Sequence, residues 1–309
     1  NQVCPIRLVI KKGLKLFRLI CNMRRVNACL HYVPGRYEDI RTILSLLKRG
    51  SWFVSRDMTD AYFHVSFHTD SVTYMGFRWR DVFYVYLVLP FGVSDSPGVF
   101  TTIMGALLDY WRSLGIQCSA FFDDVFATAD SQLSCANIAA FLISEAEELG
   151  ITWDLVKGNP IPTQIGVLLG FLVNTVDMTL SIPKDALKKI QDKAARMLTP
   201  SAIITARDLY SLASSLMAFH RASLLARTRA YTLFRNCRGV CSWIEPVQLS
   251  AASRADLEWV VKELPRWATR RFNWEEENTL YFEMDASGQG GSSVLVDRGT
   301  RKPLGVECR

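Results

Sequence analysis

The sequence contains no long apolar run. Its longest uncharged stretch, Gly158 to Val176, is interrupted by glycine, proline and polar residues, so it lacks the roughly 20 consecutive apolar residues that a membrane helix requires. The first residues, Asn1 to Lys15, have none of the features of a signal peptide, and the chain has no initiator methionine. We therefore expect no membrane partner and interpret the chain as a piece of a longer polypeptide.

Cysteine is too sparse and too apolar in context for a disulfide framework. The 309 residues include eight cysteines, and Cys21, Cys29, Cys118 and Cys135 lie within apolar runs, which predicts reduced thiols and an intracellular compartment. Repeats and low-complexity tracts are also absent. The composition, 49% hydrophobic and 21% charged, excludes disorder and coiled coil, and the length allows two or three domains.

Charge is distributed unevenly along the chain. Residues 1–50 carry a net charge of +9, residues 51–183 carry −9, residues 184–238 carry +8, and residues 239–309 carry −2. An acidic middle between basic flanks suggests carboxylates that hold cations, beside surfaces that bind a polyanion. Charge alone leaves the alternative that these are unevenly charged solvated surfaces.

Hydrophobic periodicity predicts alternating strands and helices. A basic hairpin is expected within residues 3–33, a helix over 36–48, strands from Trp52 and over 82–88, a helix from Ser96 to Gly115, and a helix over 131–149. A strand pair is expected through Val173 and Leu180, followed by helical stretches over 184–198 and 205–235 and by a connector with one helix. This order predicts an α+β fold with helices on one face of a sheet.

Two adjacent acids are the first sign of chemistry. Asp123 and Asp124 stand between apolar segments within 117–129, which has the pattern of a hairpin with both acids at its turn. Adjacent carboxylates in apolar surroundings repel each other unless a cation neutralises them, and Asp57, at the end of the strand from Trp52, is a third candidate ligand. Such oxygen ligands suit Mg²⁺ rather than Zn²⁺. For the Asp pair alone, a solvated surface turn is the competing interpretation.

Three segments in order and spacing resemble the palm motifs of reverse transcriptases. They are Ser55-Arg56-Asp57-Met58-Thr59-Asp60-Ala61-Tyr62-Phe63-His64-Val65, Leu89-Pro90-Phe91-Gly92-Val93-Ser94 and Phe121-Phe122-Asp123-Asp124. Lys11 to Gly13 and Arg18 to Asn27 resemble the fingers signature, while Lys157 and Leu168 to Phe171 resemble the last palm motifs. The resemblance covers about residues 5–240. The segment Val176 to Pro183 is most similar to that of DIRS-like, tyrosine-recombinase retrotransposons.

The resemblance implies a role for each matching residue. Asp57, Asp123 and the main-chain carbonyl of Met58 would hold two Mg²⁺ ions, for which Mn²⁺ is a substitute, with Asp124 in support. Lys157 would donate a proton to the departing pyrophosphate. The remaining assignments follow the same motifs: dNTP binding by Lys11, Arg18, Met58, Asp60, Ala61, Tyr62, Phe91 and Gly92, with Tyr62 as the gate against a 2′-hydroxyl; and nucleic-acid binding by Phe122, Arg24, Arg221 and Arg227.

The resemblance also implies the architecture and the partners. We expect a right-hand polymerase with an antiparallel palm sheet: part of the fingers in 1–50, palm with an inserted fingers segment in 51–183, helical thumb in 184–240, connector in 241–278, and in 279–309 the start of a truncated RNase H-like domain. Glu283 to Ser287 resembles the first strand of that domain, and we expect no RNase H activity. Partners would be an RNA or DNA template with its primer, dNTPs and other domains of the retroelement polyprotein.

Two alternatives to an active reverse transcriptase remain open. One is a catalytically decayed relic that still binds nucleic acid, and the other is a two-metal nuclease or phosphatase that uses the same acids. The intact Asp57, Asp123, Asp124 and Tyr62 weigh against the first. The aromatic gate and Lys11 with Arg18 weigh against the second.

Overall fold

The computed structural model of the protein describes residues 3–10, 17–31, 37–154, 156–272, 280–287, 290–297 and 303–308. The chain divides into two compact units, Asn1–Arg270 and Arg271–Arg309. In the first unit and at its boundary, the described strands are β1 (Val3–Cys4), β2 (Ile6–Ile10), β3 (Phe17–Cys21), β4 (Trp52–Asp57), β5 (Gly76–Trp79), β6 (Val82–Val85), β7 (Gln117–Phe121), β8 (Asp124–Ala129), β9 (Asn159–Thr163), β10 (Ile165–Leu168), β11 (Phe171–Asn174), β12 (Thr179–Ser181) and β13 (Thr269–Arg271).

Eight α-helices are described, all of them in the first unit. They are α1 (Arg24–Asn27), α2 (Ile40–Leu46), α3 (Ser96–Ser113), α4 (Gln132–Glu148), α5 (Lys184–Met197), α6 (Ala206–Ala218), α7 (Leu224–Asn236) and α8 (Ala251–Lys262). Among the described residues, no helix combines the length and apolarity that crossing a membrane would need. Helices and sheets are mixed along the chain, as the predicted α+β class requires.

A four-stranded antiparallel sheet in the order β7-β8-β4-β9 is the centre of the first unit. The expected hairpin is present, since β7 and β8 pair from Gln117 to the turn at the two acids. Strand β4 runs antiparallel to β8, and the register places Asp57 directly opposite Asp124. The pairing of two sequence-distant strands therefore brings the third acid to the hairpin turn.

Helices α3 and α4 cover one face of this sheet. The core between them includes Trp111 and Cys118, which have no exposed surface. Ser96 begins α3 with proline in the first turn, and the side chain of Ser131 caps α4 by accepting from the Ser134 backbone N–H. The burial of these apolar faces holds the sheet rigid beneath the acids.

The segment after α4 forms more strands than the predicted pair. Strand β9 joins the central sheet beside β4, while β10, β11, β12 and β13 form a separate sheet in that order. Pro160 and Pro162 in β9 cannot donate to a ladder, but β9 is an edge strand whose pairs with β4 involve Asn159 and Thr163. Both prolines are therefore accommodated at a sheet edge.

The N-terminal hairpin is present as β2 paired antiparallel with β3. A further sheet in the order β1-β5-β6 lies nearby in sequence and structure, and the predicted strand over 82–88 ends earlier, at Val85. A small core that includes Cys4, Cys21 and Met75 joins these elements. Residues 11–16, between these two strands, lie outside the described residues.

Helices α5 to α8 form a bundle. The helical stretch predicted over 205–235 is two helices, α6 and α7, which pack against each other. The buried residues include Leu212 and Leu216 of α6 and Ala230 and Leu233 of α7. A single continuous helix would leave these two stripes without a partner. Helix α8 packs against α5 and α7, so the helix expected in the connector belongs to the bundle.

The second unit contains the antiparallel strands β14 (Leu280–Ser287), β15 (Gly290–Asp297) and β16 (Pro303–Cys308) in that order. The first two agree with the predicted strands, which were expected over Leu280 to Asp285 and Ser293 to Asp297. The structure adds β16.

Candidate metal and nucleotide site

Three carboxylates converge where β4 ends and the β7–β8 hairpin turns. Asp57 pairs with Asp124 across the sheet, and the Met58 N–H donates to the Asp123 carbonyl oxygen at 2.8 Å. Phe122 adopts a left-handed backbone (φ 54°), which sharpens the turn. One oxygen from each of Asp57, Asp123 and Asp124 lies within 4.8 Å of the others. The predicted acidic triad is thus brought together.

Burial and mutual repulsion make the metal-free cluster unfavourable. Burial raises the pKa of Asp124 to about 6, with further contributions from the charges of Asp123 and Asp57. Burial, followed by the charge of Asp57, also raises the pKa of Asp123. Oxygen-only ligands that resist ionisation without a counter-charge fit a hard divalent cation such as Mg²⁺. In the described part of the chain this is the one such ligand group.

Lys157 supplies a positive charge beside the cluster. Its Nζ donates to Asp57 Oδ2 at 2.6 Å and lies 3.4 Å from Asp154 Oδ2. The hydrogen bond to Asp57 is the main cause of a raised Lys157 pKa. The ammonium is therefore held in its protonated, donating form.

Most of the predicted nucleotide-binding residues line one cavity of about 290 Å³. Its walls comprise Asp57, Met58, Thr59, Asp60, Ala61, Tyr62, Phe91, Phe122, Asp123, Asp154 and Lys157. The Tyr62 ring packs on Phe91 at 5.1 Å and on Phe100 at 5.6 Å between centroids. Burial and the charge of Asp123 raise the Tyr62 pKa, so the phenol remains neutral. The cavity thus has an acidic end and an aromatic wall.

Gly92, the remaining described member of the predicted set, lies next to this wall. It has φ of +96°, and an added Cβ would stand 3.3 Å from the Cys21 carbonyl oxygen. Its own carbonyl oxygen accepts from Asn27 Nδ2 at 3.0 Å, while Asn27 Oδ1 accepts from the Ser94 N–H at 2.9 Å. Asn27 therefore fixes the turn that carries Phe91.

A second cavity, of about 830 Å³, shares part of its wall with the first. Asp57 and Lys157 line both cavities, and Asp124 lines the second one. The second cavity is also lined by Leu168 to Gly170, the start of the last motif that the sequence analysis names. The walls of the two cavities therefore join at the carboxylate cluster.

The basic residues predicted to bind nucleotide or nucleic acid do not line either cavity, or they lie outside the described residues. Arg24 is exposed at the start of α1, and Arg227 is exposed on α7, over the Tyr231 ring. Arg221 acts electrostatically on Asp39. Lys11 and the side chain of Arg18 lie outside the described residues; the backbone of Arg18 belongs to β3.

Three residues of the site were not assigned a role from the sequence. Tyr37 packs on Phe122 with ring centroids 5.0 Å apart, Asn27 clamps the Gly92 turn, and Asp154 contacts Lys157. Asn27 ends the segment that resembles the fingers signature, and Asp154 had a local cue, because an acid three residues before a lysine is a common ion pair.

Carboxylates at a hairpin turn beside an aromatic-walled cavity are suited to cation-dependent phosphate chemistry. Comparison with known families gives the specific class. Residues 9–168, more than half of the chain, match the model of the family described as reverse transcriptase (RNA-dependent DNA polymerase). The chain belongs to this family.

Curated relatives come from mobile elements and viruses. The chain is 24% identical over 186 residues to the retrovirus-related Pol polyprotein from transposon opus of Drosophila melanogaster, covering 58% of this chain and 18% of that one. It is 25% identical over 186 residues to a Gag-Pol polyprotein of avian reticuloendotheliosis virus, covering 57% and 16%. The matched part is less than a fifth of either relative's length.

Solved structures share the fold. The foamy viral protease-reverse transcriptase in complex with RNA/DNA hybrid aligns with a TM-score of 0.73 at 19% identity, covering 99% of this chain and 39% of that one. A dRH form of it in complex with double-stranded DNA gives 0.72 at 20% identity, covering 99% and 51%. The chain therefore has a reverse transcriptase polymerase fold with mixed helix and sheet.

Proposed function

We propose that the protein is the RNA-directed DNA polymerase of a retrotransposon, which transfers a nucleotide from a dNTP to a primer 3′-hydroxyl. The observation that carries this proposal is the convergence of Asp57, Asp123 and Asp124 at the junction of two cavities, one of them walled by Tyr62. The chemistry of these ligands favours two Mg²⁺ ions, with Mn²⁺ as a substitute.

Each residue would have a defined task. Asp57, Asp123 and the Met58 carbonyl would hold the cations, and Asp124 would support them from the second cavity. Bound cations activate the 3′-hydroxyl and stabilise the leaving oxygen. Lys157 would donate its Nζ proton to the departing pyrophosphate, for which its position at the mouth of the dNTP cavity is suitable.

Substrate selection would take place at the aromatic wall. Tyr62 would lie beneath the sugar ring and exclude a 2′-hydroxyl, while Asp60, Ala61, Phe91 and Gly92 complete the pocket. The packing of the Tyr62 ring between Phe91 and Phe100 supports this role, because a ring held in place discriminates by shape better than a mobile one.

Template and primer would lie between the basic flanks. We assign the fingers to 1–50, the palm to 51–183, the thumb to 184–240, the connector to 241–278 and the start of an RNase H-like domain to 279–309. The charges of +9 and +8 that flank the acidic middle support a backbone-tracking role for Arg24, Arg221 and Arg227. Nucleic-acid complexes are known for the foamy viral neighbours.

The type of retrotransposon, its polyprotein and the cellular compartment are also proposals. The segment 176–183 supports a DIRS-like element, within a polyprotein that supplies further domains. The buried, unpaired thiols of Cys118 and Cys135 support an intracellular compartment.

Primer extension tests the main proposal. The purified protein should extend a DNA primer on an RNA template with dNTPs and Mg²⁺, and Asp123→Asn should reduce the rate by at least about 100-fold because a cation ligand is lost. Asp70→Asn, at an acid whose side chain is 89% exposed, is the matched control and should extend normally. Equal extension by Asp123→Asn would contradict the assignment. No extension by folded protein that still binds template-primer would favour the decayed relic.

A sugar-selection assay separates a polymerase from a nuclease. Tyr62→Ala should begin to incorporate rNTPs, because the ring that excludes the 2′-hydroxyl is gone. Tyr74→Ala, at an exposed tyrosine, should keep its preference for dNTPs. If the Tyr62→Ala protein still rejects rNTPs, Tyr62 is not the residue that excludes the 2′-hydroxyl.

A further inference from the structure

We infer that Asp154 is a positioning residue that receives the Lys157 ammonium when cations displace it from Asp57. In this scheme Lys157 is the resident counter-ion of the metal-free cluster, and it moves between two carboxylates as the site is loaded. The inference rests on the proposed function, because it presumes that Asp57, Asp123 and Asp124 hold cations.

A lysine contacts a carboxylate oxygen for which a cation would compete. Lys157 Nζ is 2.6 Å from Oδ2 of Asp57, one of the three clustered ligands, and its side chain is 58% exposed while that of Asp57 is 11% exposed. A cation at Asp57 and an ammonium at the same oxygen repel each other. Loading the site therefore requires Lys157 to leave, and its exposure leaves it room to do so.

The position of Asp154 suits it to accept the Lys157 ammonium. Its Oδ2 already lies 3.4 Å from Lys157 Nζ, so a small movement of the ammonium completes the second pair. Its Oδ1 accepts from the Val156 N–H at 3.0 Å and the Lys157 N–H at 3.2 Å. One oxygen thus anchors the side chain while the other faces the lysine.

The backbone fixes the distance between the two carboxylates. The Asp154 N–H donates to the Asp57 carbonyl oxygen at 2.8 Å, and the Thr59 N–H donates to the Thr152 carbonyl oxygen at 2.9 Å. Met58 and Trp153 form an isolated antiparallel bridge between these bonds. Asp154 therefore moves with the strand that bears the cation ligand, and it keeps Lys157 at the rim of the dNTP cavity.

Mn²⁺ binding without nucleotide or nucleic acid tests the exchange directly. Free Mn²⁺ is measured by electron paramagnetic resonance in a titration of the full chain, and the site-specific part is the part lost in Asp123→Asn. Lys157→Met should bind Mn²⁺ roughly three- to tenfold more tightly, because no ammonium has to be displaced. Lys157→Arg should restore an affinity close to the native value, and Lys188→Met, at an exposed lysine on α5, should leave it unchanged.

The role of Asp154 is measured by a double-mutant cycle. Asp154→Asn keeps an Oδ1 acceptor for the two backbone N–H groups but removes the second carboxylate oxygen, so the turn survives while the acceptor for Lys157 is lost. It should weaken Mn²⁺ binding roughly threefold in the native chain and by much less in Lys157→Met. A purely structural or additive electrostatic role would give equal effects in both backgrounds.

The outcomes separate this inference from the proposed function. Asp123-dependent Mn²⁺ binding that is unaffected by Lys157→Met, or an Asp154→Asn effect equal in both backgrounds, would overturn the exchange and leave the polymerase proposal standing. Absence of any Asp123-dependent Mn²⁺ binding would overturn both. Tighter binding by Lys157→Met together with a lysine-dependent effect of Asp154→Asn would establish the exchange.

Discussion

Replacing Asp124 by asparagine should stabilise the metal-free protein. Asp124 stands opposite Asp57 in the central sheet and faces the larger cavity. Burial first, and the charges of Asp123 and Asp57 second, raise its pKa from 3.8 to about 6. Asparagine has a similar shape and no charge, so it removes the unfavourable ionisation and retains the packing.

The sign and size follow from proton linkage. The folded state holds its proton up to about pH 6, whereas the unfolded chain releases it near pH 3.8, so the folded state is penalised progressively as pH rises between these values. The rise of the Asp124 pKa from 3.8 to about 6 corresponds to at most about 3 kcal/mol above pH 7, because solvent at the cavity wall screens part of it. The advantage of Asp124→Asn should therefore be about 2–3 kcal/mol at pH 8 and about half of that at pH 5.

Urea denaturation in the presence of a chelator measures this difference. The free energy of unfolding is compared between the native chain and Asp124→Asn at pH 5 and pH 8, with Asp109→Asn as a control, because the Asp109 side chain is 82% exposed. Saturating Mg²⁺ should reduce the gap, since only the native cluster keeps all three carboxylates. A gap that is equal at both pH values, or an Asp124→Asn protein less stable than the native one at pH 8, would refute the reasoning.

Two further substitutions test packing, one beside the site and one in the α5–α8 bundle. Gly158→Ala should lower the free energy of unfolding in urea by about 2 kcal/mol or more, because its Cβ would stand 2.5 Å from a carbonyl oxygen of β4 at a φ of +82°. Gly115→Ala, which has a similar φ and open space around the Cβ, should cost less. Equal costs for the two substitutions would exclude the clash as the cause. Asp256→Ala should cost about 1–3 kcal/mol, because it removes a buried carboxylate that accepts from the partly exposed Arg229 guanidinium. Glu263→Ala, at an exposed ion pair, should cost under about 1 kcal/mol, and equal losses for both acids would contradict this.

Local patterns predicted the elements that depend on local physics. Helices α3 and α4 were expected because their apolar residues recur at helical spacing between a serine at the start and a glycine at the end. The hairpin of β7 and β8 was expected because two apolar segments flank a turn of acids. Strand β9 and the division between α6 and α7 were not predicted, because both depend on tertiary packing. Proline in β9 is compatible with a strand only at a sheet edge, and α6 ends where it does because α7 folds back on it.

The site was predictable to the extent that motif residues lie close to one another in sequence. Asp123 and Asp124 share one turn, so their proximity is certain, but Asp57 joins them only through the register of β4 on β8. The spacing in the sequence suggests the contact of Lys157 with Asp154 but not its contact with Asp57, which depends on the bonds between 152–154 and β4. The clamp by Asn27 on Gly92 likewise joins residues 65 positions apart.

The acids of the site are placed where they destabilise the fold on which they stand. Burial lowers the local dielectric, which raises the cost of ionising Asp123 and Asp124 and equally strengthens their attraction for a divalent cation. A more exposed cluster would be more stable but would hold its cations loosely, and a fully apolar one would hold none. Lys157 offsets part of this cost at Asp57 without blocking the site, because an exposed monovalent ammonium is displaced more readily than a buried partner. The same burial therefore accounts for both the instability of the metal-free site and its expected affinity for cations.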